Sequence, residues 1–317
     1  MKSPDLAVHW GPLRLSNPLV LSSGTHGMGE DGPRLFPPEI LGAIVSKTVT
    51  VDPREGNPPP RVAETPCGML NSIGLPNPGI DAYERDVHPR LVSLGVPVIV
   101  SIAGFTRDEY RTLAARVDRL ESVAGIEVNV SCPNVERGGM VAGASPGETL
   151  AVLEAVTGET DRAVVAKLTP NVTDIVEIGQ AAMEGGARML SVINTLVGMS
   201  VDVDRRCSNL GVMTGGLSGP AIHPVGLANL WKLAKATGAP VLGGGGVVSA
   251  EGALAYLIAG ASAVGIGTAT FVDPFAPVHI LEGIADYLER HEFASVTEVI
   301  GSLAETQADL SFPEEAC

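Results

Sequence analysis

The sequence predicts an α/β chain folded as a (β/α)8 TIM barrel, with an N-terminal hairpin and long loops on the C-terminal face. Three observations carry that expectation. Eight short apolar runs recur along the 317 residues, each followed by a loop and then a helical pattern. The composition is small and aliphatic, 45% hydrophobic with 38 glycines and only 4% aromatics, which suits helices packed closely on a parallel sheet. The eighth run, and the lack of an early G-x-G-x-x-G, disfavour an open doubly wound sheet.

Residues 6–9 and 13–15, joined around Gly11 and Pro12, read as a hairpin capping the bottom of the barrel. Barrel strands are expected at 18–21, 43–46, 96–101, 125–130, 163–168, 189–193, 240–242 and 263–266. Helices are expected over 106–123, 147–156, 172–184, 224–237, 250–259 and 274–290. Several open on a cap residue such as Thr173 or Ser249, or on a proline near the start. Long excursions follow three strands, at 48–79, 132–146 and 196–223. Loops after strands build the active face of such a barrel, and loops of this length are usually functional. No linker interrupts the pattern, so the chain reads as one barrel domain over 1–317. Within that span the acidic tail 304–317 is expected to be disordered.

A formal net charge of −15 disfavours nucleic acid or an anionic membrane as partner, since both need a cationic footprint. Any anionic ligand must be held locally. Cys67, Cys132, Cys207 and Cys317 are too scattered for a disulfide framework or a metal cluster. The first nine residues lack a signal-peptide pattern, and no apolar run reaches the roughly 18 residues that span a bilayer. These features predict a soluble cytoplasmic protein.

The most informative stretch is 126–134. Ile126, Val128 and Val130 alternate as in a strand, and Pro133 stops it directly after Cys132. A buried strand cysteine is commonly an apolar filler. Here Asn129, Ser131 and Asn134 flank it with polar groups, which points to a reactive thiol at a strand mouth. Lys47, Lys167 and the pair Asn194 and Thr195 end three further strands, so polar groups converge on one face. Two ammonium groups in an apolar mouth call for an anionic partner. Glycines 243–246 follow the seventh strand, and Gly265, Gly267 and Thr268 follow the eighth. Loops at these positions often hold a phosphate, which glycine lets approach the backbone closely. Residues 215–220, including Gly219, could close over the same group. Asn71, Asn129, Asn134 and Asn194 would orient a small planar substrate bearing amide groups.

These residues resemble the class 1 dihydroorotate dehydrogenases. The likeness is carried by Ser23 to Thr25, residues 52–66, Asn71 to Leu75, Asn129 to Val135, Lys167 to Asn171, Asn194 to Met199, residues 215–222 and 265–274. Residues 61–69 and 194–199 resemble the B branch, whose catalytic subunit carries FMN. The resemblance implies oxidation of (S)-dihydroorotate to orotate in pyrimidine synthesis, with Cys132 as base and FMN as hydride acceptor. It implies that Ser22, Ser23, Lys47 and Asn129 touch the flavin ring, and that Lys167 stabilises the charge of the reduced ring. Gly219, Gly245, Gly246, Gly267 and Thr268 would hold the phosphate. Lys47, Asn71, Asn129, Asn134, Asn194 and Thr195 would hold the substrate, with the backbone of Ile73, Gly74 and Leu75 receiving its carboxylate. It further implies a homodimer core in a heterotetramer, with a partner subunit carrying FAD and an iron–sulfur cluster that passes electrons to NAD⁺. The chain departs from the B pattern at His26, Met28, Thr48 and Gly244.

Three other readings stay open from sequence. One is a dihydropyrimidine dehydrogenase-like flavoenzyme, which shares the cysteine base. Another is a non-redox phosphate-binding lyase using Lys167 for a Schiff base. The third keeps the barrel as a non-catalytic scaffold, against which the retained Cys132 and both lysines argue.

Overall fold

Eight parallel strands close into a barrel in strict sequence order: Leu19–Leu21 (β1), Ala43–Val45 (β2), Val98–Ile102 (β3), Val123–Asn129 (β4), Ala163–Lys167 (β5), Met189–Val192 (β6), Val241–Gly244 (β7) and Ala263–Ile266 (β8). The structure is a computed structural model that describes residues 3–28, 36–130 and 142–304. Closure comes from β8 against β1, with Val264 opposite Leu19 and Ile266 opposite Leu21. Every residue of β1, β2, β3, β6, β7 and β8 is buried, as strands covered by helices outside and side chains inside must be.

The helical ring is formed by Arg107–Asp118 (α1), Pro146–Thr157 (α2), Ile175–Glu184 (α3), His223–Thr237 (α4), Ala250–Ile258 (α5) and Ala276–Arg290 (α6). Side-chain caps fix three of these six starts. Thr106 accepts from the Glu109 N–H at 3.2 Å, and Ser249 from the Gly252 N–H at 3.2 Å. Helix α3 is capped by Asp174 rather than Thr173, its carboxylate taking the Val176 N–H at 2.8 Å. Helix α1 ends before the expected 123 because Ser122 turns into the left-handed region (φ 60°) and strand β4 begins at Val123. The helix expected over 274–290 begins at Ala276, and a separate turn, Ala269–Val272, precedes it.

The hairpin is Val8–Trp10 against Leu13–Leu15, with Trp10 fully buried. A second sheet, not expected from sequence, stands over the barrel mouth. Its antiparallel order is Leu196–Gly198, Gly215–Ser218, Gly68–Asn71 and Val62–Thr65. It stitches the excursion after β2 to the excursion after β6. No helix among the described residues is long and apolar enough to cross a membrane.

Candidate active site

Alternation along β4 decides what enters the barrel. Ile126 and Val128 belong to the buried aliphatic core, whereas Glu127 and Asn129, two residues apart and therefore on one face, line cavities at the mouth. Strand β5 brings Lys167 level with Asn129 and places Val165 level with Glu127. Lys167 thus lies diagonally across from Glu127, and its ammonium stands 3.7 Å from Oε1 of that carboxylate. The Glu127 side chain is 2% exposed and that of Lys167 is 15% exposed.

Two adjoining cavities occupy the mouth. The first, about 130 Å³, is lined by Ser22, Ser23, Gly219, Gly245, Gly246, Gly267 and Thr268. The second, about 400 Å³, is lined by Lys47, Asn71, Ile73, Gly74, Leu75 and Asn129. Ser23, Lys167, Asn194, Thr195, Ser218 and Thr268 belong to both walls, so the two chambers meet at Lys167. Every site residue expected from sequence and lying in the described chain therefore faces one chamber or the other. Cys132 and Asn134 lie outside the described residues, as does the tail beyond residue 304.

Six glycines line the first chamber. Gly246 has φ 73°, and a Cβ there would fall 2.7 Å from the Gly219 carbonyl and 2.8 Å from the His223 nitrogen. Gly219 (φ 92°) and Gly245 (φ 119°) are equally committed to glycine. A Cβ on Gly265 would meet the Ser22 hydroxyl at 2.8 Å. Behind this loop, the buried Tyr256 of α5 donates its hydroxyl to the carbonyls of Gly244 (3.1 Å) and Gly245 (3.0 Å). Burial pushes the Tyr256 phenol above its usual range, which keeps it a donor. Thr268 donates to the Ser218 hydroxyl at 2.8 Å, which ties the β8 loop to the roof sheet.

In the second chamber the roof supplies Asn71, whose amide donates to the Gly216 carbonyl at 3.2 Å. Gly74 (φ 75°) and Leu75 (φ 56°) form the turn that follows. Asn194 uses its carbonyl to take the Thr195 N–H at 2.8 Å and turns its amide toward the Asn129 carbonyl at 3.5 Å. Tyr110 of α1 anchors the Asn129 backbone carbonyl from outside the barrel at 3.0 Å. On the floor, hydroxyls chain from Ser23 to Thr48 (3.3 Å) and on to Ser101 (2.9 Å). The Lys47 ammonium lies against Gly24, where a Cβ would approach it to 3.3 Å. Beside this floor His26 is buried next to Thr25, and desolvation holds its imidazole down to a pKa of about 4, hence neutral.

Several contributors carry no obvious mark in the sequence. Glu127 was legible only as the polar member of an alternating strand whose two faces are both buried. Tyr256 reads as an ordinary core position of an amphipathic helix. Ser191 lines the first chamber without belonging to any motif.

The family model for dihydroorotate dehydrogenase matches residues 5–288. A protein of Trichlorobacter lovleyi, named dihydroorotate dehydrogenase B (NAD(+)), catalytic subunit, is 48% identical over 300 residues, which cover 95% of this chain and 99% of that one. The protein of the same name from Geotalea uraniireducens is 47% identical over 303 residues, 96% of this chain and 99% of its own. That of Bacteroides thetaiotaomicron is 43% identical over 299 residues, 94% and 99% of the two chains.

Proposed function

The chain belongs to the dihydroorotate dehydrogenase family, and we propose that it oxidises (S)-dihydroorotate to orotate with FMN as resident cofactor and Cys132 as base. One observation carries this reading: Lys167 sits where a glycine-walled chamber meets a chamber of carboxamides and a second lysine. A phosphate fits the first because its glycine loops, with no room for a Cβ at Gly246, leave backbone N–H groups open to an anion. The three-ring isoalloxazine of the cofactor, joined to the phosphate by its ribityl chain, would then face Lys167 and the second chamber.

When bound, FMN supplies the two-electron acceptor that takes hydride from the substrate ring. Gly219, Gly245, Gly246, Gly267 and Thr268 hold its phosphate, while Ser22, Ser23, Lys47 and Asn129 contact its ring. The Lys167 ammonium balances the negative charge that the cofactor gains on reduction. Asn71, Asn129, Asn134, Asn194 and Thr195 orient the substrate through paired donors and acceptors, and Lys47 contributes a positive charge to the second chamber. The backbone N–H groups of Ile73, Gly74 and Leu75 receive its carboxylate. Sγ of Cys132, as thiolate, takes the proton from the ring carbon next to the carbonyl.

The relatives are named as catalytic subunits using NAD⁺. This supports NAD⁺ as final acceptor and a separate electron-transfer subunit, which we assign FAD and an iron–sulfur cluster. In this reading a homodimer of the chain is the core of a heterotetramer in the cytoplasm, and each chain is one barrel domain. An anaerobic absorbance titration of the purified chain with dihydroorotate tests the reading. Bleaching of the flavin bands is expected, with colour returning to the chain alone neither on adding NAD⁺ nor on adding fumarate. A colourless protein that cannot be reconstituted with FMN would overturn the cofactor assignment, and a yellow one that does not bleach would overturn the substrate.

A further inference from the structure

Glu127 is the one acid among the described residues that lines either chamber, and the proposed chemistry does not use it. Its Oε1 is inaccessible to solvent and has no hydrogen-bond donor among the described residues. The nearest cation, Lys167, is at ion-pair distance (3.7 Å) but beyond hydrogen-bond reach. An ionised carboxylate deep in a barrel is costly unless a countercharge offsets it. Directly opposite Glu127 on β3 is Ser101, and opposite Lys167 on β6 is Ser191. The facing strands thus offer hydroxyls, not charges, and Glu127 and Lys167 are left to each other.

We propose that Glu127 is the positioning residue of Lys167: it holds the ammonium at the junction of the chambers and offsets its charge, so that the cofactor meets a compensated pair. The proposal rests on the FMN reading above. Its signature is asymmetric. Without Lys167 the cofactor faces a bare buried carboxylate, whereas without either residue it faces a neutral floor.

The test is the FMN dissociation constant of the apoprotein, read by flavin fluorescence, for wild type, Glu127→Gln, Lys167→Met and the double variant. Lys167→Met should weaken binding about a hundredfold, and adding Glu127→Gln should recover about tenfold of that loss, because removing one partner of a buried pair costs more than removing both. Glu127→Gln alone should move the bound FMN midpoint potential to more positive values, since the ammonium is no longer offset. Should Glu127→Gln fail to fold, Glu127→Ser, the residue found at facing positions 101 and 191, is read in the same way. Wild type that binds FMN while the double variant shows no recovery overturns the pairing alone, as does an unchanged midpoint potential. Wild-type apoprotein that does not bind FMN overturns the cofactor reading and the pairing together.

Discussion

The Tyr256 hydroxyl stands 3.0 Å from the carbonyl oxygen of Gly245. A residue on the inner face of helix α5 thereby fixes the glycine loop after β7 from behind, and the loop itself carries no side chain with which to hold its shape. Tyr256→Phe keeps the ring packing and removes only the hydroxyl's hydrogen bonds, to Gly245 and to its neighbour Gly244. The Gly244 carbonyl keeps the Ile193 N–H as donor, but the Gly245 carbonyl loses the Tyr256 hydroxyl, which should cost about 1–3 kcal/mol of stability, and FMN binding should weaken by about tenfold. Thermal unfolding and a fluorescence titration with FMN measure the two effects, and binding as tight as wild type would show that the loop needs no such brace.

Gly246→Ala should abolish FMN binding while leaving the barrel folded. Its backbone is left-handed, and the new Cβ would strike the Gly219 carbonyl and the His223 nitrogen, neither of which is a flexible side-chain end. Circular dichroism reports the fold and retained flavin absorbance reports the cofactor. Purification as a yellow protein would contradict this account of the cradle.

His26 predicts a pH dependence with a definite sign. Burial depresses its pKa from 6.5 to about 4, so between those values the unfolded chain binds a proton that the folded chain refuses. Stability should be level above pH 6.5 in this respect and fall as the pH drops toward 4, by about 3 kcal/mol in all. Comparing urea unfolding of wild type and His26→Phe across that range isolates the contribution. Parallel curves would mean that the imidazole takes up its proton without penalty.

Cys132→Ser should retain flavin and lose turnover by about a hundredfold or more at neutral pH, since a serine hydroxyl is a far weaker acid than a thiol. Stopped-flow reduction by dihydroorotate checks it. Reduction at the wild-type rate would move the proton-accepting role elsewhere.

The barrel was legible because each strand announces itself locally. The aliphatic runs at 98–102 and 263–266 are buried on both faces, and short runs of this kind have few other uses. Lys47 and Lys167 were legible because a cation at the end of such a run is hard to explain as packing. The roof sheet was not. Residues 215–218 read as a glycine loop, yet Gly216 is a strand residue opposite Asn71, and a Cβ on it would collide with the Thr195 hydroxyl at 2.0 Å. Nothing near position 216 in the sequence encodes that pairing, because the partner strand lies far away along the chain. The short spans of Ser122 and of Asp174 show the same limit at helix ends, where one residue's conformation or cap sets the boundary.

The bond from Asn71 to the Gly216 carbonyl closes a loop of 145 residues. Contacts of such separation form late in folding and can be lost without unfolding the remainder. The barrel floor and the roof are separate hydrogen-bonded sheets, tied together at Thr268 and Ser218, so the carboxamide chamber can open and re-form while the barrel strands stay intact. Substrate entry and orotate departure then need no more than a breathing motion of the β-ribbon that spans residues 62–71 and 215–218. Amide hydrogen exchange should find those residues exchanging faster than the barrel strands and slowing when orotate is bound.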